Sequence, residues 1–345
     1  FLRCYNNLSI KVLKVIMLSE NLKKFRIQRG MTQEELSKVS GVKYTTLTKL
    51  EGGFVKEPTI SNVYKIAQAL QLPMEFLVST APSINNNTKR FDLKSRRFLG
   101  NKYKLLGFIE DIVNEKAADY QVFCDLFAGT GVVGQRFNKP GKKIISNDIL
   151  LSNVIPITAF LKTLRIDTKK IYSKLSWLNN LVEYKENYFS NNFGGTYFTL
   201  ANAKKIGRIR EEIEVISESE EEKNILLTSL LYATDKVANT VGHYDAYRMK
   251  LDNISPVVLL FPNIYTESNT NNEVYQKDAN KLIKEIICDV LYIDPPYNSR
   301  QYSDSYHLLE NLVEWKKPVV YGKAKKMNGK HLKSNYCLKF AAERL

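Results

Sequence analysis

Residues 121–131 read QVFCDLFAGTG. A short apolar run ends on Asp125, and Gly129, Thr130 and Gly131 then lead into Val132-Val133-Gly134. The pattern predicts a strand, a tight turn and the first residues of a helix. Glycine in such a turn lets backbone approach a ligand just ahead of the free N–H groups of the helix. The turn lacks the Gly-Lys-Ser/Thr ending of a phosphate-binding loop, and its spacing is not that of a dinucleotide fingerprint. Further on, KKIISNDI (142–149) is a second apolar strand, closing on Asn147-Asp148. An acidic residue at the end of the second strand of a doubly wound sheet meets ribose hydroxyls. The two strands therefore predict an α/β fold whose ligand carries a ribose and need not carry phosphate. A helix-capping Asp is the plainer alternative for Asp148.

A third stretch, CDVLYIDPPYNSRQYSDSYH (288–307), brings an apolar strand, Val290 to Ile293, to Asp294-Pro295-Pro296-Tyr297. Two consecutive prolines end the ladder and hold an extended turn. One carboxylate, rigid carbonyls and one aromatic ring are thereby presented at the end of a strand. That set suits a planar group bearing an exocyclic amine: Asp294 and the Pro295 carbonyl accept from the amine while Tyr297 stacks on the ring.

The rest of the chain narrows the partner. Its 345 residues are long enough for two domains. At 44% hydrophobic and 25% charged it has the composition of an ordinary folded protein, and no apolar run is long enough to span a membrane. Fifty-one Lys+Arg against 36 Asp+Glu give +15, a surplus that attracts polyanions and puts nucleic acid first. Cys4, Cys124, Cys288 and Cys337 are far apart in sequence, and His243, His307 and His331 are dispersed. No metal site and no disulfide framework is expected, and a reducing cytoplasm is the expected location.

An N-terminal helical module precedes the strands. Leu18, Leu22 and Phe25 share one helical face and Gly30 stops that helix. Thr32-Gln33-Glu34-Glu35 reads as a capping box, with Leu36 and Val39 as the apolar face behind it. A helix from Tyr44 turns Leu47 and Leu50 inward and ends at Gly52-Gly53; Pro58-Thr59 opens another with Val63, Ile66 and Leu70 inward, closed by Pro73. NLKKFRIQRGMTQEELSKVSGVKYTTLTKLEGG (21–53) resembles the phage-repressor-like (XRE) helix-turn-helix family over residues 17–79. The resemblance implies a recognition helix for the DNA major groove carrying Lys43, Tyr44, Thr45, Thr46, Thr48 and Lys49, with Gln33 near the backbone. A small helical bundle for protein contacts is the alternative. Residues 80–96, beginning in STAPSINNNTKR, read as a linker.

With these motifs quoted, residues 97–345 resemble the catalytic domain of adenine-specific DNA methyltransferases, which move a methyl group from S-adenosylmethionine to adenine N6. The resemblance implies a Rossmann-like sheet with a mainly helical inserted recognition region. It implies that an FxGxK-type segment, here Phe98-Leu99-Gly100-Asn101-Lys102, meets the methionine part of the cofactor. Asp125, Phe127, Gly129 and Gly131 would line the cofactor, with Asp148 on its ribose and Asp278 near its adenine ring. Asp294, Pro295, Pro296 and Tyr297 would be catalytic, with Asp294 also beside the cofactor. The motif order resembles the alpha class, so residues 155–271 would carry target recognition. Within them RIREEIEVISESEEEKN (208–224) reads as a solvated helix face, and VANTVGHYDAYRMK (237–250), with Tyr244, Tyr247, Arg248, Lys250 and nearby Lys236, as the better DNA contact. Double-stranded DNA is the expected partner, with a cognate restriction endonuclease alongside. Cytosine N4 methylation, usually with Ser in place of Asp294, and a regulator carrying an inactive catalytic domain are the other readings. Residues 1–16 read as an upstream extension before Met17. The 48 residues after Tyr297, with Lys316, Lys317, Lys323, Lys325, Lys326, Lys330 and Lys333, show no apolar strand pattern, so the sheet's last strands are expected to be missing.

Overall fold

A computed structural model describes residues 18–55, 58–72, 74–78, 89–181, 185–296 and 300–337. Tyr297, the upstream segment through Met17, Pro73 and residues 338–345 lie outside them.

Among the described residues the N-terminal unit holds α1 over residues 18–28, α2 (Gln33–Ser40), α3 (Tyr44–Glu51), α4 (Ile60–Ala69) and α5 (Met74–Val78). The capping box forms as read, with Thr32 accepting from the Glu35 amide and the Glu35 side chain taking the Thr32 amide. Gly41 ends α2 at φ 66°, the left-handed conformation that lets the chain turn sharply into α3. Leu22, Leu36, Leu47, Leu50 and Ile66 are buried, and Arg26 pairs with Glu51 at 2.5 Å beneath the turn. Val39 differs from the reading: it is 61% exposed, because Leu36 and Ser40 are the α2 residues turned inward.

The second unit is α/β, as expected. Its elements are β1 (Arg90–Phe91), α6 (Leu106–Ala117), β2 (Val122–Asp125), α7 (Val132–Phe137), β3 (Lys143–Asn147), α8 (Leu151–Leu161), α9 (Thr168–Asn179), α10 (Tyr188–Phe193), α11 (Leu200–Ile216), α12 (Glu220–Val237), β4 (Phe261–Pro262), β5 (Glu273–Tyr275), α13 (Ala279–Leu282), β6 (Val290–Tyr292), α14 (Tyr302–Ser305) and α15 (His307–Glu314). Residues 168–177 of α9 group with the N-terminal unit. β5, β3, β2 and β6 form a parallel sheet in that order, and β1 pairs with β4. Cys124, Leu126 and Ile145 bury one sheet face under Ala279 and Leu282 of α13, and Phe123 stacks on Phe137 of α7 across the other. Residues 90–96, read as the end of a linker, belong to this unit: Leu93 is fully buried, and Arg96 gives its guanidinium to the Ser152 carbonyl at 2.8 Å. That carbonyl is open because Pro156, four residues on inside α8, has no N–H to offer it.

The charged run 208–224 is solvated only in part, with Glu214, Glu218, Glu220 and Glu221 exposed. Arg210 and Glu212 are almost fully buried, and Arg210 donates to the carbonyls of Leu312 and Val313 and to Glu214. The long arginine stem crosses the packed helices to close the exposed carbonyl end of α15. The apolar strand β6 is the last of the four among the described residues, and Leu291 and Ile293 are 37% and 46% exposed.

Candidate functional site

β2, β3 and β6 run parallel in register, Asp125 opposite Ser146 and Tyr292, so their C-terminal ends open on one edge. Ligands of open α/β sheets lie at that edge. Gly131 caps α7 at φ 79°, and a Cβ there would stand 2.7 Å from the Ile157 side chain, so any other residue would be strained at this φ and would have to displace Ile157. Gly131 shapes the loop but does not line the cleft; Gly129 does, with Phe98 lying against it.

The cleft, with a cavity volume of about 200 Å³, brings together Phe98, Lys102, Asp125, Phe127, Gly129, Asp148, Asp278, Asp294, Pro295 and Pro296. These come from stretches almost 200 residues apart, and all were singled out in the sequence. Asp148 accepts from the Gly129 amide at 2.9 Å and from the Leu150 amide at 2.8 Å, fixing the glycine loop to the end of β3. Burial pushes its carboxyl up. Asp125 accepts from the Gly134 amide, and its Oδ1 has no hydrogen-bond partner among the described residues. Burial, with Asp148 and Asp294 nearby, pushes Asp125 up to about 7. Asp278 reaches the cleft while its carboxylate caps α13 through the Asn280 and Lys281 amides.

Two tyrosines downstream of Asp294 clamp the segment Phe98–Lys102. Phe98 stacks on Tyr306 at 4.4 Å and on Tyr302 at 5.4 Å, and the Leu99 amide donates to the Tyr306 hydroxyl. Lys102 Nζ lies 2.6 Å from Asp294 Oδ2. The sequence reading missed Asn153, Gln301, Tyr302 and His331 to Ser334, which complete the wall. Tyr302 and Tyr306 carry a legible signal, two aromatics four residues apart just after the prolines. Ser334 carries none: it reaches the cleft by exchanging hydrogen bonds with Gln301, 33 residues away. Part of the C-terminal basic stretch thus folds over the cleft.

In the stretch 237–250, Tyr244 is fully buried with its hydroxyl on Asp235, and Arg248 pairs with Asp252 at 2.7 Å. Lys236 and Lys250 are exposed. In the N-terminal unit Lys43, Tyr44, Thr45, Thr48 and Lys49 are exposed on α3 and Thr46 is half-buried, whereas Gln33 donates to Glu51 and Thr48 to its own helix at the Tyr44 carbonyl. Among the described residues no cluster of three potential metal ligands occurs, and no helix is long and apolar enough to cross a membrane.

Residues 22–77 match a helix-turn-helix family, and residues 98–343 match the D12 class N6 adenine-specific DNA methyltransferases. The modification methylase StsI of Streptococcus sanguinis is 35% identical over 264 residues, 70% of this chain and 40% of that protein. The type II methyltransferase M.NlaIII of Neisseria lactamica is 33% identical over 256 residues, 70% of this chain and 75% of that one. Modification methylase LlaI of Lactococcus lactis subsp. lactis is 37% identical over 251 residues, and the chain again spans 40% of its length. No solved structure matches the chain significantly. With the glycine loop, Asp148 and Asp294-Pro295-Pro296 on one cleft and the family pattern running over most of its length, the chain belongs to the D12 class of N6 adenine-specific DNA methyltransferases, preceded by a helix-turn-helix domain.

Proposed function

We propose that the chain transfers the methyl group of S-adenosylmethionine to N6 of adenine in double-stranded DNA, as the modification part of a restriction–modification system. The observation that carries the reading is the meeting of Asp294, Asp148 and the glycine loop on one cleft. The printed names of the relatives, modification methylases and type II methyltransferases, support the setting.

The cleft suits the cofactor. Asp125, whose Oδ1 has no partner among the described residues, stands near two further carboxylates, a donor set that favours a cation such as a sulfonium with its ammonium. Asp148 would take the ribose hydroxyls, and Phe98 and Phe127 would pack on the cofactor's apolar parts. When bound, S-adenosylmethionine supplies a methyl group on a positively charged sulfur. The chain's own contribution is to hold the amine. The N6 lone pair of adenine is delocalised into the ring; hydrogen bonds from N6–H to Asp294 and the Pro295 carbonyl draw the nitrogen toward a pyramidal geometry that localises it. No covalent enzyme intermediate is needed, so proximity and fixed charge supply the rate. A base inside a duplex cannot reach the cleft and must be turned out of the stack, with Tyr297 as the ring it would lie on.

Residues 155–271 would read the target, with exposed Lys236 and Lys250 at the phosphates. The helix-turn-helix, through Lys43, Tyr44, Thr45 and Lys49, would anchor the enzyme or repress its own gene. The test is tritiated methyl transfer to unmethylated genomic DNA with products resolved as nucleosides. Label in N6-methyladenine supports the reading; label in N4-methylcytosine contradicts it.

A further inference from the structure

Lys102 lies in the segment that the family resemblance assigns to the methionine end of the cofactor, yet its ammonium is engaged elsewhere. Nζ is 2.6 Å from Asp294 Oδ2 and 3.0 Å from the Gly100 carbonyl, and both side chains are largely withdrawn from solvent at 18% and 26% exposure. The anchor of this lysine is rigid. Gly100 sits at φ 75° with the Tyr302 hydroxyl 3.1 Å from where a Cβ would stand, and Phe98 is stacked on Tyr302 and Tyr306 with the Arg96 guanidinium close to both the Phe98 and Tyr306 rings. Asp294 by contrast lies two residues past the last paired residue of β6, which among the described residues pairs on one side only. A carboxylate so placed has little from its own strand to fix its rotamer.

We infer that Lys102 is the positioning residue of Asp294: its ammonium fixes the carboxylate through Oδ2 and leaves Oδ1 aimed at the adenine N6–H, and it is not a ligand of the cofactor. The inference rests on the proposed methyl transfer to adenine. Its physical content is preorganisation. A carboxylate free to rotate would meet the amine in many geometries, and a misplacement of about 1 Å at a reacting centre costs about 100-fold in rate. Oδ1 then accepts from N6–H, while the Pro295 carbonyl takes the second N6–H.

The experiment uses the full chain with Lys102→Met, which keeps length and loses charge, and Lys102→Arg, which keeps charge. S-adenosylmethionine affinity is measured by calorimetry, and single-turnover methyl transfer at saturating cofactor and DNA. The expected result is cofactor affinity within about threefold of wild type for both variants. The Met variant's rate falls about 100-fold and the Arg variant recovers most of it. A tenfold or greater loss of cofactor affinity in the Met variant, with the saturating rate retained, overturns the inference and returns Lys102 to the cofactor. A Met variant unchanged in both also overturns it. If wild type transfers no methyl group to adenine, the proposed activity falls separately. The positioning role of Lys102 then falls with it, and a tenfold drop of cofactor affinity in the Met variant would separately return Lys102 to the cofactor.

Discussion

Asp125 shows how a single residue reports its neighbours. Its carboxyl, pushed up to about 7 by burial with Asp148 and Asp294 close by, is only partly ionised near neutrality in the free protein. A cationic ligand favours the ionised form, so binding expels a proton whenever that group is protonated. S-adenosylmethionine affinity is therefore expected to weaken as pH falls below about 7, and calorimetry in buffers of different ionisation enthalpy reads the released proton. Asp125→Asn removes the pH dependence. Affinity independent of pH between 5.5 and 8 in wild type would remove Asp125 from the account. Gly131 makes a second residue-scale prediction. Ala at φ 79°, with its Cβ 2.7 Å from Ile157, forces the loop or α8 to shift, and cofactor affinity is expected to drop.

At the scale of elements, two helix ends are closed by side chains from far along the chain. α8 has no side-chain cap at Leu150; Glu310 of α15 supplies one, accepting from the Leu151 and Ser152 amides at 2.8 and 2.9 Å. Burial pushes Glu310 up to about 7 from its ordinary 4.5. The folded chain thus holds a proton that the unfolded chain has released. This contribution is absent below about 4.5 and grows into a cost as pH rises through 7, on the order of 3 kcal/mol when complete. Glu310→Gln is expected to flatten the fall in stability between pH 5 and 7 in denaturant titrations; an unchanged slope contradicts it. Arg210 closes α15 in return, and Arg210→Met, which strands the Leu312 and Val313 carbonyls while Glu214 keeps Lys223, should cost about 3 kcal/mol. These ends explain what was legible in the sequence. Capping boxes, the glycine loop and Asp-Pro-Pro are local, and each is legible because its cause lies within a few residues. Arg210, Glu310 and Ser334 act across 102, 159 and 33 residues, and no periodicity announces such partners. The charged run around Arg210 was misread for that reason: a run of charges resembles a solvated face until the helix it caps is known.

For the whole molecule, the parallel sheet and its ligand edge were readable because strand-ending acids and glycines are the same residues that make the site. The exposed side of β6 was not, since an apolar run alone does not tell an inner strand from the end of a sheet. The surplus of +15 sets the expected behaviour toward DNA: affinity falls steeply with salt on any sequence. Lys49→Ala, on the exposed face of α3, is expected to lower the salt slope by about 1 without changing methyl transfer at saturating DNA. The most direct measurement of the central claim sets wild type beside Asp294→Ala, with methyl transfer to DNA and S-adenosylmethionine affinity read on both. The account predicts label in N6-methyladenine for wild type and a loss of about 100- to 1000-fold in the variant, with a loss of cofactor affinity far smaller than the loss of rate. Equal label from the variant would contradict it.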